Sequence, residues 1–170
     1  ISVLVHLLVH SVLDGQAKAA AALTKLMVHD DNRAAAREAG VFPPLRVLLD
    51  SRNTRGEVAA ARLLCSLLLN AHNKVEANAA GCTQVLPHLV RYGRSEQARE
   101  WAGRAVRLLA LVPANHAPLR EAGCIPALVK LMEAGTAKGK AEATLALSNL
   151  SVNSPTNRTL IRKADGLPLL

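Results

Sequence analysis

Apolar residues recur along this chain in short helical blocks, punctuated at regular intervals by Asn, Gly and Pro. Asn115–Met132, NHAPLREAGCIPALVKLM, shows the unit. A polar segment opens on Asn115 and stops at Gly123, a residue that tolerates the left-handed backbone of a helix end. Pro126 follows, where a helix starts without losing a needed N–H. The pattern predicts a short helix from Asn115 to Ala122 and a second over about Ala127–Ala134, with Leu128, Leu131 and Met132 at i, i+3, i+4 spacing. Gly135, Thr136 and Gly139 mark a loop, and a third helix is predicted over about Lys138–Val152. Its apolar set, Ala141, Leu145, Ala146, Leu147 and Leu150, covers more than a narrow stripe, so it is expected to be the most buried of the three.

The same syntax returns along the whole chain. Gly40, Gly81, Gly123 and Gly166 recur at 41, 42 and 43 residues; Asn32, Asn73, Asn115 and Asn157 recur at 41, 42 and 42. Arg37-Glu-Ala-Gly40 repeats Arg120-Glu-Ala-Gly123, and Pro43–Leu48 corresponds to Pro126–Leu131, with a third helix at about Glu57–Leu69. In the intervening period Ala79-Ala80-Gly81 is the stop. Pro87-His88-Leu89-Val90 reads there as the start of the matched part of helix two, which requires three residues inserted near Thr83–Val85 and a loop three residues shorter after Tyr92. The third helix of that period is expected at about Glu96–Leu111. Ile1–Leu7 aligns with Ile125–Leu131, so the chain is expected to open in a second helix whose first helix is missing. Gly166–Leu170 reads as the start of another. The expected organisation is one domain, 1–170, with a partial repeat 1–31, repeats 32–72, 73–114 and 115–156, and a partial repeat 157–170. It reads as a segment of a longer array, because neither end carries a polar capping repeat. A period near 42 lies in the range of armadillo and HEAT helical repeats.

Composition narrows the class to all-α. Half the residues are apolar, yet the only aromatics are Phe42, Tyr92 and Trp101; the stock is Ala and Leu, good helix formers. No apolar run is long enough to span a bilayer. Cys65, Cys82 and Cys124 are odd in number and form no CxxC, so they read as small core residues in a reducing compartment. Cytoplasm or nucleus is the expected location. The net charge of +8 points to an acidic partner, protein or nucleic acid, or to a solvated basic surface.

The three-helix period, the Asn…Ala-Gly-x-x-Pro-x-Leu-Val-x-Leu line and Ala-Leu-Ser-Asn-Leu-Ser at 146–151 resemble armadillo repeats. The resemblance covers essentially the whole chain and is strongest over 115–153; the wording of 149–157 is most similar to the plant and U-box armadillo group. It implies a right-handed α-solenoid of about four three-helix repeats, whose third helices line a concave groove for extended peptides. In importin alpha, a Trp on helix three is followed four residues on by an Asn that clamps the peptide backbone. Here the Asn position reads Lys25, Ser66, Arg107 and Asn149, and the Trp position reads Ala21, Arg62, Gly103 and Leu145. Trp101 stands two residues out of that register. Only Asn149 fits, and acidic groove residues for a cationic cargo are lacking, so nuclear import is disfavoured.

The expected groove is instead basic. Lys18 and Lys25, seven residues apart, share a helix face, and Arg62 and Arg107 continue the row at helix spacing. Such a row suits carboxylates or phosphates on an extended chain. The candidate peptide-binding residues are therefore Lys18, Lys25, Arg62, Ser66, Arg107 and Asn149. Beta-catenin is the family precedent for acidic partners. A scaffold that binds an extended acidic protein segment is the first expectation, and the docking region of a U-box-type ubiquitin ligase the second. Nucleic-acid binding is third, because aromatics for base stacking are scarce.

Catalytic and cofactor chemistry is not indicated. His6 and His10 stand at i, i+4, but position 7 is Leu and no third metal ligand is evident. His29, His72 and His116 fall in inter-repeat loops. Gly135-Thr-Ala-Lys-Gly-Lys140 lacks the spacing of a phosphate-binding loop. The Asn149-Leu-Ser151 and Asn157-Arg-Thr159 sequons read as incidental. No enzyme activity, cofactor, metal or small-molecule substrate is expected.

Overall fold

The computed structural model describes residues 1–164. Gly166 and the expected further second helix at Gly166–Leu170 lie outside the described residues. Within them the chain forms α1 (Ser2–His10), α2 (Leu13–Leu26), α3 (Asp30–Glu38), α4 (Phe42–Leu49), α5 (Thr54–Leu67), α6 (Ala71–Ala79), α7 (Cys82–Tyr92), α8 (Glu96–Leu109), a 3-10 turn (Pro113–Asn115), α9 (His116–Glu121), α10 (Cys124–Ala134), α11 (Ala137–Ser151) and α12 (Pro155–Ala164). No strand occurs among the described residues.

The helices build two layers. The second helices α1, α4, α7 and α10 pack side by side, and the third helices α2, α5, α8 and α11 pack side by side against them. The first helices α3, α6, α9 and α12 run along one edge. Small residues let the layers approach closely. Ala19, Ala20, Ala60, Ala61, Ala102, Ala105, Ala143 and Ala146 are all buried on the third helices. Gly103 belongs to the same set, since a Cβ there would lie 2.9 Å from Leu131 Cδ2. Leucines of the second helices, such as Leu45, Leu86 and Leu128, fill the space between the layers.

The first helices α3, α6 and α9 each end on a glycine in the left-handed region: Gly40 at φ +74°, Gly81 at +80° and Gly123 at +88°. The second helix starts at once, so α10 begins at Cys124, three residues before the sequence-based expectation, with Pro126 in its first turn. Common starts also remove the expected insertion near Thr83–Val85. Helices α7 and α10 are both 11 residues long, each with a buried Cys at its first position. Gln84 therefore stands where Pro126 stands, and Pro87 lies inside α7. Burial also shifts the alignment of α1 by one residue. Val5 and Leu8 are buried while Leu7 is exposed, so Leu8 matches Leu131. A further correction concerns the last period, in which α10 is more buried than α11. Among the described residues α11 packs against one other third helix, α8, and Leu145, expected in its core, is 51% exposed.

The Asn markers stitch the period together. Asn73, Asn115 and Asn157 are buried. The Nδ2 groups of Asn32, Asn73, Asn115 and Asn157 donate to the last turn of the preceding third helix, at the carbonyls of Leu26, Leu67, Leu109 and Leu150, over 2.7–3.1 Å. Asn73 also donates to Arg33 O and Asn115 to Lys74 O, each in the preceding first helix. Free carbonyls at a helix C-terminus need such partners. The Arg of each Arg-Glu-Ala-Gly closes the junction from the other side: Arg37 donates to Asn73 Oδ1 and Arg120 to Asn157 Oδ1. In the middle period this position is Asn78, too short to reach, and its buried Oδ1 has no partner.

Candidate third-helix binding face

Side chains at the N-caps set the register of the third helices. Asn53 Oδ1 accepts from Arg55 N and Gly56 N, Ser95 Oγ from Ala98 N, and Thr136 Oγ1 from Gly139 N; α2 starts after Val12. Such caps satisfy the free N–H groups of a first turn. Counting from these four residues gives equivalent rows. Asp14, Arg55, Gln97 and Lys138 share one level. Lys18, Ala59, Trp101 and Glu142 share the next, then Ala21, Arg62, Arg104 and Leu145, and finally Lys25, Ser66, Leu108 and Asn149.

This register corrects one candidate. The third helix of the 73–114 period is displaced by one residue from its sequence alignment, so Leu108, not Arg107, stands level with Lys25, Ser66 and Asn149. Leu108 is buried. Arg107 points along the seam with α11, where its Nε donates to Glu142 Oε2 at 2.6 Å. The Trp position likewise moves from Gly103 to Arg104. Trp101 still stands outside the Trp-position row, three residues before it, which is about one helical turn and keeps it on the same face.

The structure brings Lys18, Lys25 and Arg62 together. They border a cleft of about 460 Å³ between α2 and α5, whose floor is Ala17, Ala21, Val58 and Ala59. Arg55 and Asp14 complete the rim. Asp14 bonds Lys18 at 2.7 Å and Arg55 at 3.3 Å. The hydrogen bond and charge of Lys18, with Arg55 beside it, hold the Asp14 carboxyl below its usual range. Four cations (Lys18, Lys25, Arg55 and Arg62) therefore face one carboxylate. Arg55 was not legible as a site residue, because its level is visible only once Asn53 is known to cap α5.

Ser66 and Asn149 are committed elsewhere. Ser66 Oγ donates to Arg62 O, and Asn149 Nδ2 donates to Arg107 O at 3.3 Å. Asn149 thus ties α11 to α8, although its Oδ1 makes no bond of that kind. Between α8 and α11, charge is compensated. Lys138 pairs with Glu100 at 3.3 Å, Thr136 Oγ1 donates to Glu100 at 2.5 Å, and Arg107 pairs with Glu142.

Trp101 lies between these two regions. Its ring has the Arg62 guanidinium 5.6 Å, the Arg104 guanidinium 5.2 Å and the Lys138 ammonium 5.1 Å from its centroid. Cations at this range are attracted to the face of an indole. The thiols lie apart from the face. Cys65, Cys82 and Cys124 are free and buried, and burial pushes each thiol up to about 12. His6 and His10 stack with ring centroids 4.1 Å apart, and no group of three or more potential metal ligands forms among the described residues. No helix among the described residues is long and apolar enough to cross a membrane.

Residues 116–152, which include α10 and α11, match the Armadillo/beta-catenin-like repeat family model. The human (Homo sapiens) Armadillo repeat-containing protein 3 is 30% identical over 145 residues, covering 84% of this chain; the chain spans only 16% of that protein's length. An engineered protein of 27% identity superposes with a TM-score of 0.91, covering 97% of this chain and 41% of that one. Computationally designed armadillo repeat proteins for modular peptide recognition give a TM-score of 0.91 at 24% identity, covering 98% of this chain and 71% of theirs. A designed armadillo repeat protein in complex with the peptide (KR)4 gives 0.87 at 22% identity, covering 96% and 69%. These matches support the armadillo-repeat family, and the layered three-helix period described above is an armadillo-type α-solenoid.

Proposed function

We propose that this chain is a non-catalytic interaction scaffold that holds an extended, acidic segment of a partner protein along its third helices. The observation that carries this reading is the α2–α5 cleft, with its apolar floor and four cations against one carboxylate. An extended chain offers side chains and backbone to such a groove at once, and a concave surface of one sign raises the local concentration of an oppositely charged ligand. We take the repeats to be 32–72, 73–114 and 115–156 within a single domain. Three free, buried thiols fit a reducing compartment, so the cytoplasm or nucleus is the proposed setting.

The test is fluorescence polarisation with a labelled twelve-residue Asp/Glu-rich peptide. The wild-type chain is expected to bind it, and Lys18→Glu/Lys25→Glu/Arg62→Glu to lose binding. Unchanged binding in the triple variant puts the site elsewhere. The wording of 149–157 favours a second reading, the partner-docking region of a U-box-type ubiquitin ligase. A full-length chain without ubiquitin-transfer activity in a reconstituted assay would sink it and leave the groove untouched.

A further inference from the structure

The cations around Trp101 are not used alike. Lys138 has a carboxylate partner in Glu100. Arg62 and Arg104 have none: neither makes an ion pair within 4.0 Å among the described residues. Arg104 Nε and Trp101 Nε1 are both buried and lack a hydrogen-bond partner. Two guanidinium groups from adjacent third helices thus converge on one indole, with two buried N–H donors left over beside them. Buried donors without an acceptor are costly, and an anion placed between them offsets that cost.

We propose that Arg62, Arg104 and Trp101 form a subsite for a phosphorylated side chain of the bound segment. The proposal rests on the reading that the third-helix face holds an extended acidic segment, and it assigns the segment's phosphate to one place. Charge decides between phosphate and carboxylate. A phosphate monoester carries about −1.5 to −2 at neutral pH with three acceptor oxygens, whereas a Glu or Asp side chain carries one charge and two oxygens. The subsite offers two unpaired positive charges and planar forks that suit phosphate geometry. The indole holds both guanidinium groups close to its face, which reduces the ordering cost of binding. Arg104 is half-buried and anchors the anion, and the exposed Arg62 meets it from the solvent side. The cleft lysines Lys18 and Lys25 lie further along the face and take the segment's carboxylates.

The chain contains a single Trp, so Trp101 fluorescence reports the subsite directly. The probes are three peptides, acetyl-Glu-Ala-Ala-X-Ala-Ala-Glu-amide, with X as phosphoserine, Ser or Glu. The phosphoserine peptide is expected to bind about tenfold or more tightly than the Glu peptide and to change Trp101 emission. Arg62→Gln, at an exposed position where folding is not at risk, is expected to remove most of that preference. Arg104→Lys, which keeps charge but not the fork, is expected to reduce it. Lys25→Glu is expected to weaken all three peptides by a similar factor. Equal affinity for the phosphoserine and Glu peptides, or a preference that survives Arg62→Gln, overturns the phosphate subsite and leaves the acidic-groove reading standing. Binding of none of the peptides overturns both. Tighter binding of a uridine oligonucleotide than of the phosphoserine peptide also overturns the proposal, in favour of a phosphodiester ligand.

Discussion

The α2–α5 cleft and the α8–α11 seam occupy equivalent places on the same layer, yet the cleft keeps unpaired cations while Arg107 and Lys138 of the seam are paired with carboxylates. In the cleft, Lys25 and Arg62 make no ion pair among the described residues. In the seam, Glu100 and Glu142 answer Lys138 and Arg107, the latter pair only 23% and 13% exposed. The level that holds Lys18 and Ala59 on one side holds Glu142 on the other. The difference shows that repeat geometry fixes where side chains point, while the residue at each level decides whether a site is free to bind or already satisfied from within.

The largest expected effect lies in the cleft. Lys25→Glu/Arg62→Glu is predicted to weaken an acidic peptide by about 100-fold, as loss of complementary charge does, whereas Arg107→Ala/Glu142→Ala changes affinity by less than about twofold. Polarisation titrations on the two variants measure the contrast directly. Next comes the stability of the seam. Removing Glu142 alone leaves a mostly buried guanidinium unpaired and is predicted to cost about 2 kcal/mol, with much of that restored in the double variant. Urea unfolding of the single and double variants checks this, and additive losses would mean that the pair is not coupled.

Thiol chemistry sharpens the comparison at the α5–α8 junction, where the Cys65 thiol donates to Trp101 O at 3.3 Å. The buried thiols keep their protons to about 12, against 9.0 for a free thiol. Their contribution to stability is therefore fully present below pH 9 and is lost as pH rises from 9 towards 12. Ellman's reagent at pH 8 is expected to label them only at the rate of opening, and rapid labelling of the native chain contradicts this burial. A smaller effect is predicted at the edge. Asn78→Arg, which restores the junction contact made by Arg37 and Arg120, is expected to stabilise by about 0.5–1 kcal/mol, read as a rise in thermal midpoint. The smallest concerns Asp14, whose lowered pKa means that its contacts are present above about 3.8 and weaken as pH falls through the lower folded value. Its carboxyl is exposed, so the expected sign is a slight acid-side loss that Asp14→Asn abolishes.

Much of the fold was legible because the repeat constrains it. Asn73, Asn115 and Asn157 must each reach a helix end, and Gly40, Gly81 and Gly123 must each turn left-handed, so those letters recur. Pro87 misled because a proline marks a helix start in the other periods but is tolerated here within α7, one turn further in. The face was less legible. Arg107 and Gly103 were misplaced by one residue, since apolar spacing along a helix buried on several sides does not fix register; the caps Asn53, Ser95 and Thr136 do. Once those caps align the helices, Trp101 and Arg104 turn out to share the binding face. No letter pattern announced that Glu100 and Glu142 would pair with Lys138 and Arg107, because those pairs form between different helices.

The α2–α5 cleft is the place where a partner segment is expected to lie. Amide chemical-shift mapping of the labelled chain, titrated with the twelve-residue Asp/Glu-rich peptide, tests this most directly. The predicted result is a footprint over Lys18, Lys25, Val58 and Arg62 that continues to Trp101 and fades before Glu142. A footprint centred on the second-helix layer, or one strongest at Arg107 and Glu142, would contradict it.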